Sequence, residues 1–266
     1  MNMNFKFLLI GTSLSLIPNL TYAQCAVTDC QQLGYTSLEK CDNGLKCPFG
    51  EYWACPKVEE KAVLGECTGY AKNCKIADIL NSDGTCTTDK VSGKTPIGVV
   101  VYIGGDGCGQ AVALKDFRSA IWSTENVDIP DLPNYMSVWA VEKDFDSCGN
   151  TQKIIKQGNA NKYPAAWVAV NYAPSSAPAT KGKWCFPAAG VGNSMMVNID
   201  KINSSLFKAG SQSLPGSPSN TGFYASSSEY NNIGAWLFCT GCGGGGTNIN
   251  GLSKYQGGIV LPVLEF

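Results

Sequence analysis

The sequence predicts an α+β fold, and three observations carry that reading. β-Branched runs stand toward both ends of the larger part of the chain, helical periodicities are grouped between them, and a cysteine-dense stretch with little apolar pattern precedes both. With 266 residues the chain is long enough for one large domain or two small ones with a proper core.

Taken in order, residues 1–23 carry Lys6, an apolar stretch from Phe7 to Leu20 and a small-residue site at Thr21-Tyr22-Ala23. That is the pattern of a secretory signal cut before Gln24, too short and too interrupted for a membrane span. Residues 24–75 hold seven of the 13 cysteines, punctuated by Asn-Gly and Pro turns. So short a segment needs bridges in place of a core, and an exported chain meets the oxidising conditions that form them. The odd total leaves at least one thiol free or pairing between chains, an interchain disulfide being one outcome.

Residues 76–266 form the expected α+β domain. Asn81-Ser-Asp-Gly84 reads as a hairpin turn. Ile97–Ile103 is a buried strand running into a glycine-rich turn at Gly104–Gly107, with a returning strand at Gln110–Leu114. A helix is expected over Asn150–Gln157 with Asn150 as its cap, and another over Tyr163–Tyr172 with Pro164 in its first turn. Met195, Ile199, Ile202 and Leu206 recur at helical spacing until Gly210. Short strands follow at Phe223–Ser226, Ala235–Cys239 and Ile259–Phe266, Pro262 making the last an edge or bulged strand.

Composition excludes several chemistries. The chain has no histidine, so Ser-His-Asp and Cys-His catalysis, histidine metal ligation and a histidine pH switch are all absent. A formal net charge of −1 with a single arginine, Arg118, argues against nucleic acid. No paired CxxC motif offers a thiolate zinc site, and Cys239-Thr-Gly-Cys242 reads as a loop staple. Neither a P-loop nor a G-x-S-x-G elbow occurs, and the S-x-x-K matches at Ser37 and Ser205 lack their partner motifs. No metal, cofactor or membrane span is expected.

The C-terminal third carries an ordered set of motifs: Lys183-Trp-Cys-Phe-Pro-Ala-Ala-Gly190, Asn198-Ile-Asp-Lys-Ile-Asn203 with Leu206, Tyr224-Ala-Ser-Ser-Ser-Glu229 through Ala235-Trp236, and Ile259-Val-Leu-Pro-Val-Leu-Glu-Phe266. This succession resembles the bacterial Lcl C-terminal-like (DUF1566) family over about residues 76–266. Ala225 stands where that family has Trp and Leu261 where it has Arg. The resemblance implies a C-type-lectin-like domain whose N- and C-terminal strands pair and whose long loops meet ligands. The calcium-lectin motifs are missing. Some proteins that resemble this one carry Asn-rich C-terminal loops diversified by a retroelement that mutates adenines, with which the asparagines here are compatible.

Between Asn220 and Gly258 the only charged residues are Glu229 and Lys254, in a stretch rich in Gly, Asn, Ser and Tyr. Tyrosine gives rigid contact area and asparagine adaptable hydrogen bonds, as in antibody loops. Tyr230, Asn231, Asn232, Asn248, Asn250 and Tyr255 are therefore the candidate ligand-binding residues, while Trp236 reads as core. The expectation is an exported, non-enzymatic adhesin- or receptor-like protein that contacts an extracellular protein or glycan. The alternatives are an exported hydrolase of polysaccharide or peptidoglycan using Glu229 with Asp144 or Asp146, and a structural subunit of a surface or pilus assembly.

Overall fold

A computed structural model describes residues 39–40, 53–54, 61–215, 223–240 and 248–266. The expected signal segment and most of the cysteine-rich lead lie outside the described residues. The chain divides into two compact units, Met1–Glu60 and Lys61–Phe266. In the first, β1 (Glu39–Lys40) pairs antiparallel with β2 (Trp53–Ala54).

The second unit is α+β with two sheets. One contains β3 (Ile79–Asn81), β4 (Cys86–Thr87), β5 (Pro96–Ile103), β6 (Gly109–Ala113), β8 (Trp184–Cys185) and β13 (Val263–Glu265), in the order β4-β3-β5-β6-β13-β8. The other contains β7 (Arg118–Ile121), β9 (Tyr224–Asn231), β10 (Gly234–Phe238), β11 (Ile249–Ser253) and β12 (Gly257–Val260), in the order β11-β10-β9-β12-β7. All pairings are antiparallel except β9 with β12. Between the strands in sequence come α1 (Val138–Val141), α2 (Ser147–Lys156), α3 (Pro164–Val170), α4 (Ala189–Val197) and α5 (Ile199–Lys208).

The unbroken apolar run of β5 follows from burial on both faces. Val99 and Val101, with Val112 of β6, pack against Met195, Met196, Ile202 and Leu206 of α4 and α5. Ile97 and Val100, with Ala111 and Ala113, face Ala71, Cys74, Tyr172, Trp184 and Phe266 instead. Residues 61–75, grouped in the sequence with the lead, thus help to cover this second face, and the compact unit begins at Lys61. The cysteines follow suit. Cys67 and Cys74, expected among the thiols of the lead segment, bridge forward to Cys108 and Cys86, and Cys148 pairs with Cys185. Cys239 is also disulfide-bonded. These bridges fit a compartment that oxidises thiols. No helix among the described residues is long and apolar enough to cross a membrane.

Three further expectations are corrected by local chemistry. The cap of α2 is Asp146, whose carboxylate accepts from Gly149 N at 2.8 Å, and Asn150 lies inside the helix. The Met195–Leu206 periodicity belongs to two helices, because Asn198 turns its amide back onto Ser194 O and breaks the run. Their common end is as expected: Gly210 at φ 85 closes α5, with Gly210 N on Phe207 O and Ser211 N on Leu206 O. The expected single strand Ile259–Phe266 is two strands in two sheets. Pro262 has no N–H to extend β12, so the chain turns there and restarts as β13. The C-terminal strand β13 therefore lies beside β6 and β8, one strand away from Ile97–Ile103 rather than paired with it.

Helix α4 seats close to the second sheet. A Cβ on Gly192 would lie 2.2 Å from Phe238 Cδ1, so glycine permits the approach that packs α4 on β10. The opposite face of that sheet, with Ala225, Ala235 and Val260, packs on Trp122, Ile154 and the alanines of α3.

Candidate functional site

The hairpin β9–β10 turns through Asn232 and Ile233, with Asn231 opposite Gly234. Beside this turn a groove of about 600 Å³ opens, lined by Tyr230, Asn231, Trp236, Asn250, Gly251 and, from a distant segment, Asn126. Val138, Ile233 and Leu252 complete its apolar wall. The rings of Tyr230 and Trp236 meet edge to face, with centroids 5.2 Å apart. The Trp236 indole N–H donates to Tyr135 O at 2.9 Å, which fixes the ring.

Gly251 stands opposite Trp236 in the β10–β11 pairing. A Cβ there would come no nearer than 3.9 Å to the Trp236 ring and about 4.0 Å to Tyr230, ordinary contact distances. Without a side chain there, the half-buried Tyr230 ring and the small remaining edge of Trp236 face the groove.

The asparagines are held by their oxygens. Asn231 Oδ1 accepts from Ile233 N at 3.0 Å and Asn250 Oδ1 from Gly251 N at 2.9 Å. Neither Nδ2 donates to any partner among the described residues, so both amides offer N–H groups. Among the described residues no Asp, Glu, Lys or Arg lines the groove. Next to it in the chain, Met136 and Trp139 are 66% and 71% exposed, and the Lys143 ammonium sits 3.4 Å from the centre of the Trp139 ring.

Beneath this surface lies a buried ion pair. Glu229 and Lys254 are both fully buried, and the Lys254 ammonium donates directly to Glu229 Oε1. The ammonium also donates to Val127 O at 2.6 Å and lies 4.8 Å from the centre of the Trp122 ring, while Glu229 Oε2 accepts from Ile129 N at 3.3 Å. The Glu229 main chain continues the attachment: its carbonyl accepts from Tyr135 N at 3.0 Å, and it bridges to Asn134. Together these bonds tie the segment 127–135 to β9 and so fix Asn126 and Val138, one at each end, as groove wall. Burial pushes the Glu229 carboxyl up to about 7, against the lowering pull of Lys254, and burial draws Lys254 below its ordinary value.

The other acidic candidates are also accounted for by the fold. Asp144 is buried and accepts from Ser228 Oγ at 2.5 Å, Asn150 Nδ2 at 2.8 Å and Asp146 N at 3.2 Å. Asp146 is the cap of α2. Neither these carboxylates nor Glu229 lines the groove.

Of the six sequence candidates, the structure brings Tyr230, Asn231 and Asn250 together. Asn232 is exposed in the adjoining turn without lining the groove. Asn248 lies at the far end of β11, its amide on Asn193 Oδ1 at 3.3 Å and its carbonyl accepting from Cys239 N. Tyr255 is exposed in the β11–β12 turn and forms no part of the groove lining. Sequence reasoning missed Asn126 and Val138, which lie about a hundred residues upstream, and Gly251, whose contribution is an absent side chain. It assigned Trp236 to the core, and the ring is indeed 5% exposed, yet its remaining edge forms groove wall.

No family model matches the chain, and no curated protein matches it. Among solved structures it is similar to a fimbrial protein from Bacteroides ovatus ATCC 8483, with 15% identity and a TM-score of 0.47 over 72% of this chain and 49% of that one. The chain spans about half the length of that protein.

Proposed function

We propose that this is an exported, non-enzymatic binding protein, of C-type-lectin-like architecture, whose groove takes a neutral, hydroxyl-rich face of an extracellular glycan. The observation that carries the reading is the chemistry of the lining: the Tyr230 ring and an edge of Trp236 beside Gly251, amide donors on Asn231 and Asn250, and no charged side chain among the described residues. Sugar rings present apolar C–H faces to aromatic walls and oxygen acceptors to amide N–H groups. An ionic ligand would find no counter-charge there. A volume of about 600 Å³ lies within the ~300–1,000 Å³ range of small-ligand sites. The same Tyr, Trp and Asn set also suits a protein loop, so protein ligands form the second arm of the test.

Binding of the wild type and two variants to glycan and protein arrays decides between them. Gly251 is outside the left-handed region, so Gly251→Leu is tolerated by the backbone and fills the groove. It should weaken binding by about tenfold or more, equivalent to about 1.4 kcal/mol. Asn250→Ala removes one amide donor and should cost about 1 kcal/mol, or about fivefold. Thermal unfolding should move little in either variant, since both positions are exposed. Undiminished binding by Gly251→Leu removes the groove from the reading, and binding confined to the protein array removes the glycan.

A further inference from the structure

A second cavity, of about 360 Å³, shares no residue with the groove. It lies where β7 begins beside α3 and the residues that follow it, and its wall carries Asp116, Arg118, Pro164, Trp167, Asn171 and Tyr172. Arg118 is the only arginine of the chain. Its guanidinium makes no hydrogen bond or ion pair with any described residue, and the Asp116 carboxylate makes none either. The ion pairs among the described residues join lysines to carboxylates, so both charges of this wall remain available to a ligand.

Three more features belong to the same wall. Asp116 holds φ 64, one of three non-glycine residues in the left-handed region among the described residues, a conformation costing roughly 1 kcal/mol that surrounding structure must maintain. Tyr172 is buried, being 8% exposed, and its hydroxyl has no hydrogen-bond partner. Burial, and then the Asp116 charge, push that phenol well above its ordinary range. A buried hydroxyl without a partner costs about 1–3 kcal/mol, and a donor kept in that state calls for an explanation. Finally, the Trp167 indole N–H donates to Gly158 O at 2.9 Å, which pins a half-exposed ring as an apolar floor beside Pro164.

We infer that this cavity is a binding site for a small zwitterion of the α-amino-acid class with an apolar side chain. Arg118 takes the carboxylate through its planar fork of donors, and Asp116 takes the ammonium. The ligand side chain lies on Trp167. Because the two protein charges flank a single residue, Phe117, the ligand must carry both of its own charges close together, as a free amino acid does and an internal peptide residue does not.

Calorimetric titration of the full exported chain with L-alanine, L-leucine and L-phenylalanine tests the inference, each also supplied as its N-acetyl and its C-amide derivative. At least one free amino acid should bind with a dissociation constant below about 1 mM, and both of its blocked forms should bind at least about tenfold more weakly. Arg118→Gln and Asp116→Asn, at exposed positions, should each abolish the preference for the zwitterion without shifting thermal unfolding. Tyr172→Phe should leave binding unchanged and the fold as stable or more so, since it removes an unsatisfied hydroxyl that is sealed from the cavity. Equal binding of free and blocked forms overturns the inference, as does no heat from any of the three amino acids up to about 10 mM, well above the ~1 mM scale of weak sites. These readouts are independent of the groove variants, so either site can fail alone.

Discussion

Replacing Lys254 with methionine should destabilise the Lys61–Phe266 unit by about 3–5 kcal/mol, because it leaves the Glu229 carboxylate buried without its partner. The same substitution takes the donor from Val127 O, so the segment that forms one groove wall loosens as well. Urea unfolding at neutral pH measures the first effect. The double variant Glu229→Gln, Lys254→Met should recover most of the loss, since two uncharged groups carry no such desolvation cost. If the double variant is as unstable as the single one, the loss comes from packing and the electrostatic account fails.

pH separates these explanations further. The Glu229 carboxyl is raised from its ordinary 4.5 to about 7 in the folded chain. A raised acid binds its proton more tightly folded than unfolded, so its contribution to stability is fully present below 4.5 and is lost as pH rises through about 7. In Lys254→Met the lowering pull of the ammonium is gone and the carboxyl rises further. The deficit of that variant against the wild type should therefore be smaller at about pH 5 than at about pH 8. A deficit that is constant with pH contradicts a carboxylate as its cause.

How far the sequence revealed this arrangement depends on the range over which each signal acts. The β5–β6 hairpin was legible because its strands are β-branched runs joined by a glycine turn, and α3 because Pro164 occupies its first turn. Gly210 marked the end of α5 by the same local logic. Sheet order was not legible. Nothing between Ile259 and Phe266 besides Pro262 announces that one apolar run serves two sheets.

Glu229 and Lys254 stood out as the two charges of an otherwise uncharged stretch, and that pattern held more than was drawn from it. Opposite charges isolated in apolar and amide-rich surroundings are least costly when buried against each other. The groove was half legible for a similar reason. Tyr230, Asn231 and Asn250 share a composition that favours contact surfaces, but Asn126 and Val138 reach them only through the tie made by the buried pair.

Asp144→Ala should cost about 3–5 kcal/mol of stability, the second large loss expected in this fold, through a helix that carries no cap of its own. The residue before α4 is Ala188, whose side chain accepts nothing, and four amides at a helix start have no intrahelical partner. Here three of them are met from outside. Ala188 N donates to Ser147 Oγ at 2.8 Å, Ala189 N to Ser228 Oγ at 2.9 Å and Gly190 N to Asp144 O at 2.9 Å. Ser228 can accept from Ala189 because its own proton goes to the Asp144 carboxylate, which also holds the Asn150 amide. The carboxylate behind Ser228 thus places negative charge near the positive end of α4.

Removing that carboxylate strands two buried donors at once, each worth about 1–3 kcal/mol, and takes away the favourable charge. Asp144→Asn can keep its oxygen for Ser228 and Asn150, which share Oδ2, but then sets an amide N–H against Asp146 N, so about half the loss should remain. Ser228→Ala should fall between them, as it frees both Ala189 N and the carboxylate. Chemical unfolding of the three variants checks the chain of bonds, with Asp144→Ala expected to be the least stable and Asp144→Asn the nearest to wild type. Should Asp144→Ala unfold with the wild type, α4 must be held by its packing on Phe238 and the valines of β5 and β6, with the polar network contributing nothing to its position.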